Sequence, residues 1–394
     1  MGKTIELKAM HGVRNDVSLE RFKETDLAVG DNVDIDETGK VYRRLGTTRV
    51  AAGVMHSLKS FASDTYVVSS GALGSINSAG TFASLKSGVG HRVAYSEIGD
   101  EVFWSDGLIS GIIGAGVNRQ WGIAVPALPS AVATSGDLRA GTYMYTLTYV
   151  RSNGSESGAP STGSITVGAN SGIVFGPIAA STDSTVTGIR LYVSTANGEV
   201  PYAAANVPNA ATSISMTATS HPVLPVRTLD MAPPPAGQFL GYYNGRAYVG
   251  SGRFLWYSQP HEYELFDWVG GYLAFPSTLK TFAPVSSGIF LGTETETMYL
   301  DGADPQEFIR RQVAPYGTVL GTEYYVRNDL LLDGKQPGMS PVWMSKTGLC
   351  LGEEGGTMQN LTSDRVIPPS GLLEGASLSK SRSGTPQLVT TLYS

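Results

Sequence analysis

The feature that most constrains what this chain can fold into is a recurring cluster of three apolar or aromatic residues closed by a small polar one. It occurs as Val102-Phe103-Trp104-Ser105, Leu255-Trp256-Tyr257-Ser258, Met298-Tyr299-Leu300-Asp301 and Val342-Trp343-Met344-Ser345. Ser258 and Asp301 are 43 residues apart, Asp301 and Ser345 are 44 apart, and one further step lands inside Leu388-Val389-Thr390-Thr391-Leu392-Tyr393. A period in the low forties is the length of a four-stranded propeller blade. The other apolar clusters are short, rich in Val, Ile, Tyr, Phe and Trp, and bounded by Gly, Asn, Asp or Ser, a pattern of strands and turns. Asn153-Gly154, Asn197-Gly198, Asn244-Gly245 and Asp333-Gly334 supply residues that tolerate the positive φ of tight hairpins. No twelve-residue window reads as an amphipathic helix, so the expected class is all-β and propeller-like.

The period breaks once. Ser105 to Ser258 is 153 residues, one repeat plus an excess of about 110. Residues 126–231 account for it: Pro126-Ala127-Leu128-Pro129 and Pro233-Pro234-Pro235 bracket a stretch dominated by Ala, Ser and Thr. Inside it, Gly141 to Val150 alternates apolar and polar residues, Arg151-Ser152-Asn153-Gly154-Ser155-Glu156-Ser157 turns the chain, and Gly188-Ile189-Arg190-Leu191-Tyr192-Val193-Ser194 supplies a later strand. Residues 127–225 resemble a fibronectin type III or related immunoglobulin-like sandwich, which implies an inserted domain. The expected organisation is an N-terminal arm (1–30), a first propeller part (31–125), the inserted sandwich (126–231), and a second propeller part with ring closure (232–394). The roughly 285 residues outside the insert leave room for about six blades, with seven the alternative. Pairing of the last strand, 388–393, with the hairpin at 31–46 is expected to close the ring, because an open propeller leaves raw sheet edges.

Composition narrows the functional classes. The 394 residues carry 28 Lys plus Arg against 34 Asp plus Glu, a formal charge of −6, so no overall basic field draws in nucleic acid. The single Cys350 lies in the apolar run Gly348-Leu349-Cys350-Leu351 and is expected to pack as a small buried hydrophobe, consistent with assembly in a reducing cytoplasm. Met1 to Lys8 holds no apolar stretch of signal-peptide length, and no segment approaches the ~18 apolar residues of a membrane span, so a soluble protein without a membrane anchor is expected. Gly2 follows Met1, but Glu6 stands where myristoylation needs Ser or Thr.

Several stretches resemble chemical motifs and fall short. Asp34-Ile35-Asp36-Glu37-Thr38-Gly39 opens like a calcium loop, but Leu45 occupies the position of the closing Glu and no helices flank it, which favours a β-hairpin turn. The histidines at 11, 56, 91, 221 and 261 show no metal-ligand spacing. His261-Glu262-Tyr263-Glu264-Leu265 begins like a zincin helix without its second His and reads as a loop between blade strands. Gly334-Lys335 lacks the rest of a phosphate loop, and no G-x-S-x-G elbow occurs. Glu353-Glu354 and the Glu294, Glu296 pair read as solvated faces. Ser105-Asp106-Gly107 and Asp301-Gly302 only brush against the Asp-box turns of sialidase propellers. The aromatic triplets read as core packing rather than stacking platforms for bases or glycans. No cofactor, metal or catalytic residue is expected.

The opening segment points to a family. His11-Gly12-Val13-Arg14-Asn15-Asp16-Val17-Ser18, Leu27 to Asp36, and Tyr42-Arg43-Arg44-Leu45-Gly46 resemble the start of virion structural proteins of tailed bacteriophages. Trp121-Gly122-Ile123-Ala124-Val125-Pro126, Pro233-Pro234-Pro235-Ala236-Gly237, Tyr263-Glu264-Leu265-Phe266-Asp267 and Asn360-Leu361-Thr362 extend the resemblance along the chain. It is similar to the tail nozzle or tail hub proteins of short-tailed phages, although those are often larger. The resemblance implies a non-enzymatic subunit of a homo-hexameric ring in the virion tail, below the portal and adaptor and in contact with other tail proteins, through which DNA passes without specific binding. Net negative walls would keep passing DNA from sticking. Residues 9–30 are the candidate arm onto a neighbouring subunit, with Arg14, Asp16, Arg43 and Arg44 as candidate interface residues. The competing class is a receptor-binding or glycan-degrading tail protein.

Overall fold

Each of the four aromatic returns is a strand, and the residue that closes three of them is a buried serine. In a computed structural model, which describes residues 9–36, 38–62, 64–218, 223–330, 338–382 and 385–394, the returns fall in Glu101–Ser105, Phe254–Gln259, Thr297–Asp301 and Met339–Ser345. Trp104, Leu255, Tyr299 and Trp343 are fully buried. Ser105, Ser258 and Ser345 are fully buried too, and their hydroxyls bond to backbone. Ser105 Oγ accepts from Gly237 N at 2.9 Å, Ser258 Oγ from Ala247 N at 3.0 Å, and Ser345 Oγ donates to Gly348 O at 2.8 Å. A small hydroxyl thus satisfies backbone groups where the strand ends, where an apolar side chain would leave them bare.

The chain divides into two units, Met1–Ala94 with Gln238–Asn244 and Phe275–Ser394, and Tyr95–Gly237 with Gly245–Ala274. The first unit holds three antiparallel four-stranded meanders. They are Met55–Ser60, Thr65–Ser69, Ala72–Ile76, Phe82–Ser87; Leu279–Val285, Gly288–Thr293, Thr297–Asp301, Ile309–Ala314; and Tyr324–Arg327, Met339–Ser345, Gly348–Gly352, Met358–Asn360. A core of Ala283, Val285, Phe290, Tyr299, Trp343 and Cys350 joins the last two, and burial pushes the Cys350 thiol up. The unit also holds two antiparallel ribbons, Val33–Ile35 with Val41–Arg43 and Glu374–Arg382 with Thr385–Tyr393, the short parallel pair Gly12–Val13 with Asp26–Leu27, and the strand Phe239–Tyr243.

The expected ring closure is not found. The last strand pairs antiparallel with Glu374–Arg382, and the 33–43 hairpin pairs with itself; among the described residues no ladder joins the two ribbons, which meet at Lys380 Nζ and Asp34 Oδ2, 3.9 Å apart. A partner just upstream costs far less loop-closure entropy than one some 350 residues away. The 33–43 hairpin does form, with Asp34 opposite Tyr42, and Asp36 is consumed by its turn. Asp36 Oδ1 accepts from Thr38 Oγ1 at 2.6 Å and from the Thr38 and Lys40 amides at 2.9 Å, which hold this carboxyl down at about 2. Glu37, His221, Asp333-Gly334, Gly334-Lys335 and the first eight residues lie outside the described residues.

The second unit holds the meander Ala94–Ile98, Glu101–Ser105, Ser110–Gly114, Val117–Gln120, and a sheet in which Phe254–Gln259 pairs with Arg246–Ser251, Glu262–Asp267 and Tyr272–Ala274. Between them in sequence lie two facing sheets. Gly141–Arg151 pairs with Gly163–Val167 and Val186–Val193, which pairs with Tyr202–Pro208; Ser171–Phe175 sits between Ala131–Leu138 and Ile214–Met216. Tyr143, Leu147, Ile173, Phe175, Ile189 and Leu191 fill the shared core. The alternation of Gly141–Arg151 sends Thr146 and Thr148 to the other face, yet both are fully buried, bonded to Pro160 O and to Glu156 Oε2. At Asn153-Gly154 the hairpin turns with Gly154 at φ +88°, a conformation only glycine adopts freely. Among the described residues there is no α-helix, only three single-turn 3-10 segments, and no helix long and apolar enough to cross a membrane.

Candidate functional site

Four charged side chains from separate strands of the second unit converge on a cleft of about 650 Å³. Glu101 and Arg119 stand on strands flanking Ser110–Gly114, so both project from one face of that meander. Glu264 stands on Glu262–Asp267, and Arg151 ends the long sandwich strand Gly141–Arg151. Glu264 is the centre: its Oε1 accepts from Arg119 Nη1 at 2.6 Å and its Oε2 from Arg151 Nη1 at 2.8 Å. Arg119 Nη2 donates to Glu101 at 2.9 and 3.1 Å, while Arg151 donates to Thr185 Oγ1 at 2.8 Å and to Asp183 Oδ2 at 3.4 Å.

The electrostatics follow from this geometry. Burial works to lower the Arg119 guanidinium, but Glu264 and Glu101 outweigh it and hold it raised. Burial likewise opposes ionisation of Asp183, and the Thr185 hydrogen bonds and Arg151 still hold its carboxyl below the ordinary range. Beneath the ion pairs, Trp121 donates from Nε1 to Tyr263 O at 2.8 Å and packs edge-on against Phe103 and Phe266. Beside the cleft, Glu156 accepts from Arg190, from Tyr192 OH at 2.6 Å and from Thr148 at 2.8 Å. Burial, with Glu156 adding to it, pushes the Tyr192 phenol up to about 12. These charges neutralise one another and tie the sandwich to the two neighbouring sheets of its own unit, the arrangement of a rigid joint.

The sequence-derived candidates lie elsewhere. Arg14 donates from Nε to Asp16 at 2.7 Å and from Nη1 to Asp26 at 3.3 Å, which keeps Arg14 raised and helps hold both carboxyls down. Arg44 donates to Asp34 at 3.0 Å, and Arg43 lies exposed on the 41–43 strand. Asn15 exchanges side-chain bonds with the Ile367 backbone at 2.9 and 2.7 Å and donates its amide to Arg365 O at 2.9 Å, so this part of the expected arm docks on its own chain. Glu264 was hidden in His261-Glu262-Tyr263-Glu264-Leu265: that stretch is not a loop, because Glu262–Asp267 is a strand, and its period-2 alternation was the available signal.

One further ionisable group stands out, in the first unit. Glu323 Oε2 is buried without a hydrogen-bond partner, and burial pushes this carboxyl up while Arg92 and Lys59 pull it back. The Arg92 guanidinium runs where a Cβ on Gly321 would stand, 1.7 Å from Nη2, so the backbone there, at φ +76°, needs glycine. A carboxyl raised in the native state holds a proton that the unfolded chain has released, so stability falls as pH rises from the ordinary carboxylate value through the native one. Glu323→Gln is therefore expected to stabilise the protein by about 1 kcal/mol at neutral pH and to flatten the fall of its melting temperature as pH rises above the ordinary carboxylate range. Parallel pH profiles for variant and wild type would refute this.

No family model matches the chain, and no curated protein matches it. Among solved structures, the AfRom2 CNH domain aligns over 83% of this chain and 92% of its own at 9% identity, with a TM-score of 0.24. The extracellular domain of a one-component system from B. thetaiotaomicron aligns over 86% and 65% at 10% identity and 0.23, and Citrobacter koseri AztD over 92% and 89% at 13% identity and 0.24. Likeness at these scores carries no argument about fold or function.

Proposed function

We propose that this chain is a structural component of a phage tail, a nozzle or hub subunit that assembles as a homo-hexameric ring and forms part of the path for DNA ejection. In this reading its blade-length sheets make a propeller-like scaffold of about six blades carrying an immunoglobulin-like insert, with portal, adaptor and other tail proteins as partners. The observation that carries the reading is the cleft's central network, in which Glu264, Arg119, Arg151, Glu101 and Asp183 bond to one another. A catalytic site keeps acids and bases available for substrate, whereas a ring subunit under load needs fixed joints. Among the described residues no group of three or more His, Cys, Asp or Glu could hold a metal ion. The test is to express the chain with candidate portal and adaptor proteins and to image the purified assembly. Six-fold rings that co-purify with them support the proposal; a monomer that ignores them and degrades a glycan overturns it.

A further inference from the structure

We propose that a row of four aromatic rings with Arg253 at one end, on the sheet of residues 246–274, is a binding site for an acidic oligosaccharide. Alternation along Phe254–Gln259 sends Leu255 and Tyr257 into the core and leaves Phe254 and Trp256 half-buried on the opposite face. Tyr272 pairs across from Trp256, and Trp268 follows the strand Glu262–Asp267. The rings pack on one another in sequence, Phe254 edge-on to Tyr272 at 5.3 Å, Tyr272 to Trp256 at 4.9 Å and Trp256 to Trp268 at 5.2 Å, the last two pairs tilted by 45° and 44°, with the Arg253 guanidinium 5.4 Å from Phe254. Trp268 is 47% exposed and Tyr272 36%. In the other returns Trp104, Tyr299 and Trp343 are fully buried, so this sheet departs from the core role that its repeat otherwise serves.

The row is also held in place before any ligand arrives. Trp268 Nε1 donates to Pro233 O at 2.9 Å, and Asp267 Oδ1 accepts from the Val269 and Gly270 amides at 2.8 and 3.1 Å. Ordering these groups on binding therefore costs little. The exposed parts of Trp268 and Tyr272, both packed on Trp256, match a sugar unit with an apolar C–H face and hydroxyls directed to water, as pyranoses have. Bases of single-stranded nucleic acid also stack on aromatic rings, but their phosphates need a track of cations, and among the described residues one guanidinium lies over these rings, in a chain of net charge −6. One cation suits an occasional sugar carboxylate. The inference stands apart from the tail reading and survives or fails without it.

The test titrates the full chain, by tryptophan fluorescence and calorimetry, with xylo-oligosaccharides bearing a single glucuronate branch, the same oligosaccharides without it, and oligo-dT. Saturable binding of the acidic sugar is expected, weakened about tenfold by Trp268→Ala, with folding checked by circular dichroism. Arg253→Gln is expected to bring the affinity for the acidic sugar down to that for the neutral one. The proposal is overturned by absent acidic-sugar binding, by full binding in Trp268→Ala, by tighter binding of oligo-dT, or by a dimer that Trp268→Ala dissolves.

Discussion

Trp343→Ala is expected to lower the unfolding free energy by about 3–5 kcal/mol, and Trp343→Phe by only about 1 kcal/mol. The ring is fully buried, 5.3 Å from Phe290, which lies 4.9 Å from Tyr299, and these three form the aromatic centre of the core that joins the 279–314 and 324–360 meanders. A Cβ on Gly352 would come within 2.6 Å of Phe290 and 2.9 Å of Trp343, so the neighbouring strand is already cut back to admit both rings. Truncation to alanine leaves a cavity that flanking β-strands cannot collapse into without breaking their ladders. The phenylalanine variant separates packing from hydrogen bonding, because Trp343 Nε1 is buried without an acceptor and its removal strands no partner. Trp104 is the contrast, since its Nε1 donates to Asn118 at 2.8 Å and phenylalanine there forfeits that bond. Urea unfolding followed by circular dichroism measures all three variants. A cost below 1 kcal/mol for Trp343→Ala would mean that this core does not hold the two meanders together.

The same residues show what was legible in the sequence. Trp343 and Trp104 could be read as core because apolar residues at strand spacing, bounded by turn formers, most often pack inside a β protein. Ser105, Ser258 and Ser345 were visible as a repeated letter, but their reason was not: each is buried against backbone groups, two of them on other strands. Trp256 carried the same signature as Trp104 and sits half-exposed, because its neighbours Trp268 and Tyr272 come from a turn and a short strand that pattern reasoning does not assign to a face. The ring closure expected between 388–393 and 31–46 failed for a related reason: edge strands of similar alternation do not specify their partner, and the local one prevails. Arg151 was seen only as the start of a turn, although its guanidinium is bonded to an acid 113 residues away. Period and burial are local properties of a sequence, whereas charge pairing is a property of the folded whole.

Glu264 carries the second large effect. Glu264→Ala is expected to cost about 3 kcal/mol, because it leaves Arg119 and Arg151, of which Arg151 is 9% exposed, facing each other without the carboxylate that separates their charges. The loss measures an uncompensated charge rather than the intrinsic strength of two hydrogen bonds, and a triple variant distinguishes the two. Arg119→Met, Arg151→Met and Glu264→Met together should recover part of the stability, since the two arginines no longer face each other and the methionines fill similar volume, while Glu101 and Asp183 lose their arginine partners and limit the recovery. Double-mutant cycles between Glu264 and each arginine should return a coupling of about 1–3 kcal/mol, and between Arg119 and Arg151, which share only the carboxylate, a coupling of opposite sign. Raised salt should change these values little, because the pairs are partly withdrawn from solvent. Additive single substitutions would show the network to be an ordinary surface cluster, and the joint between the sandwich and the two sheets of its unit would then rest on apolar contacts such as Trp121 against Phe103 and Phe266.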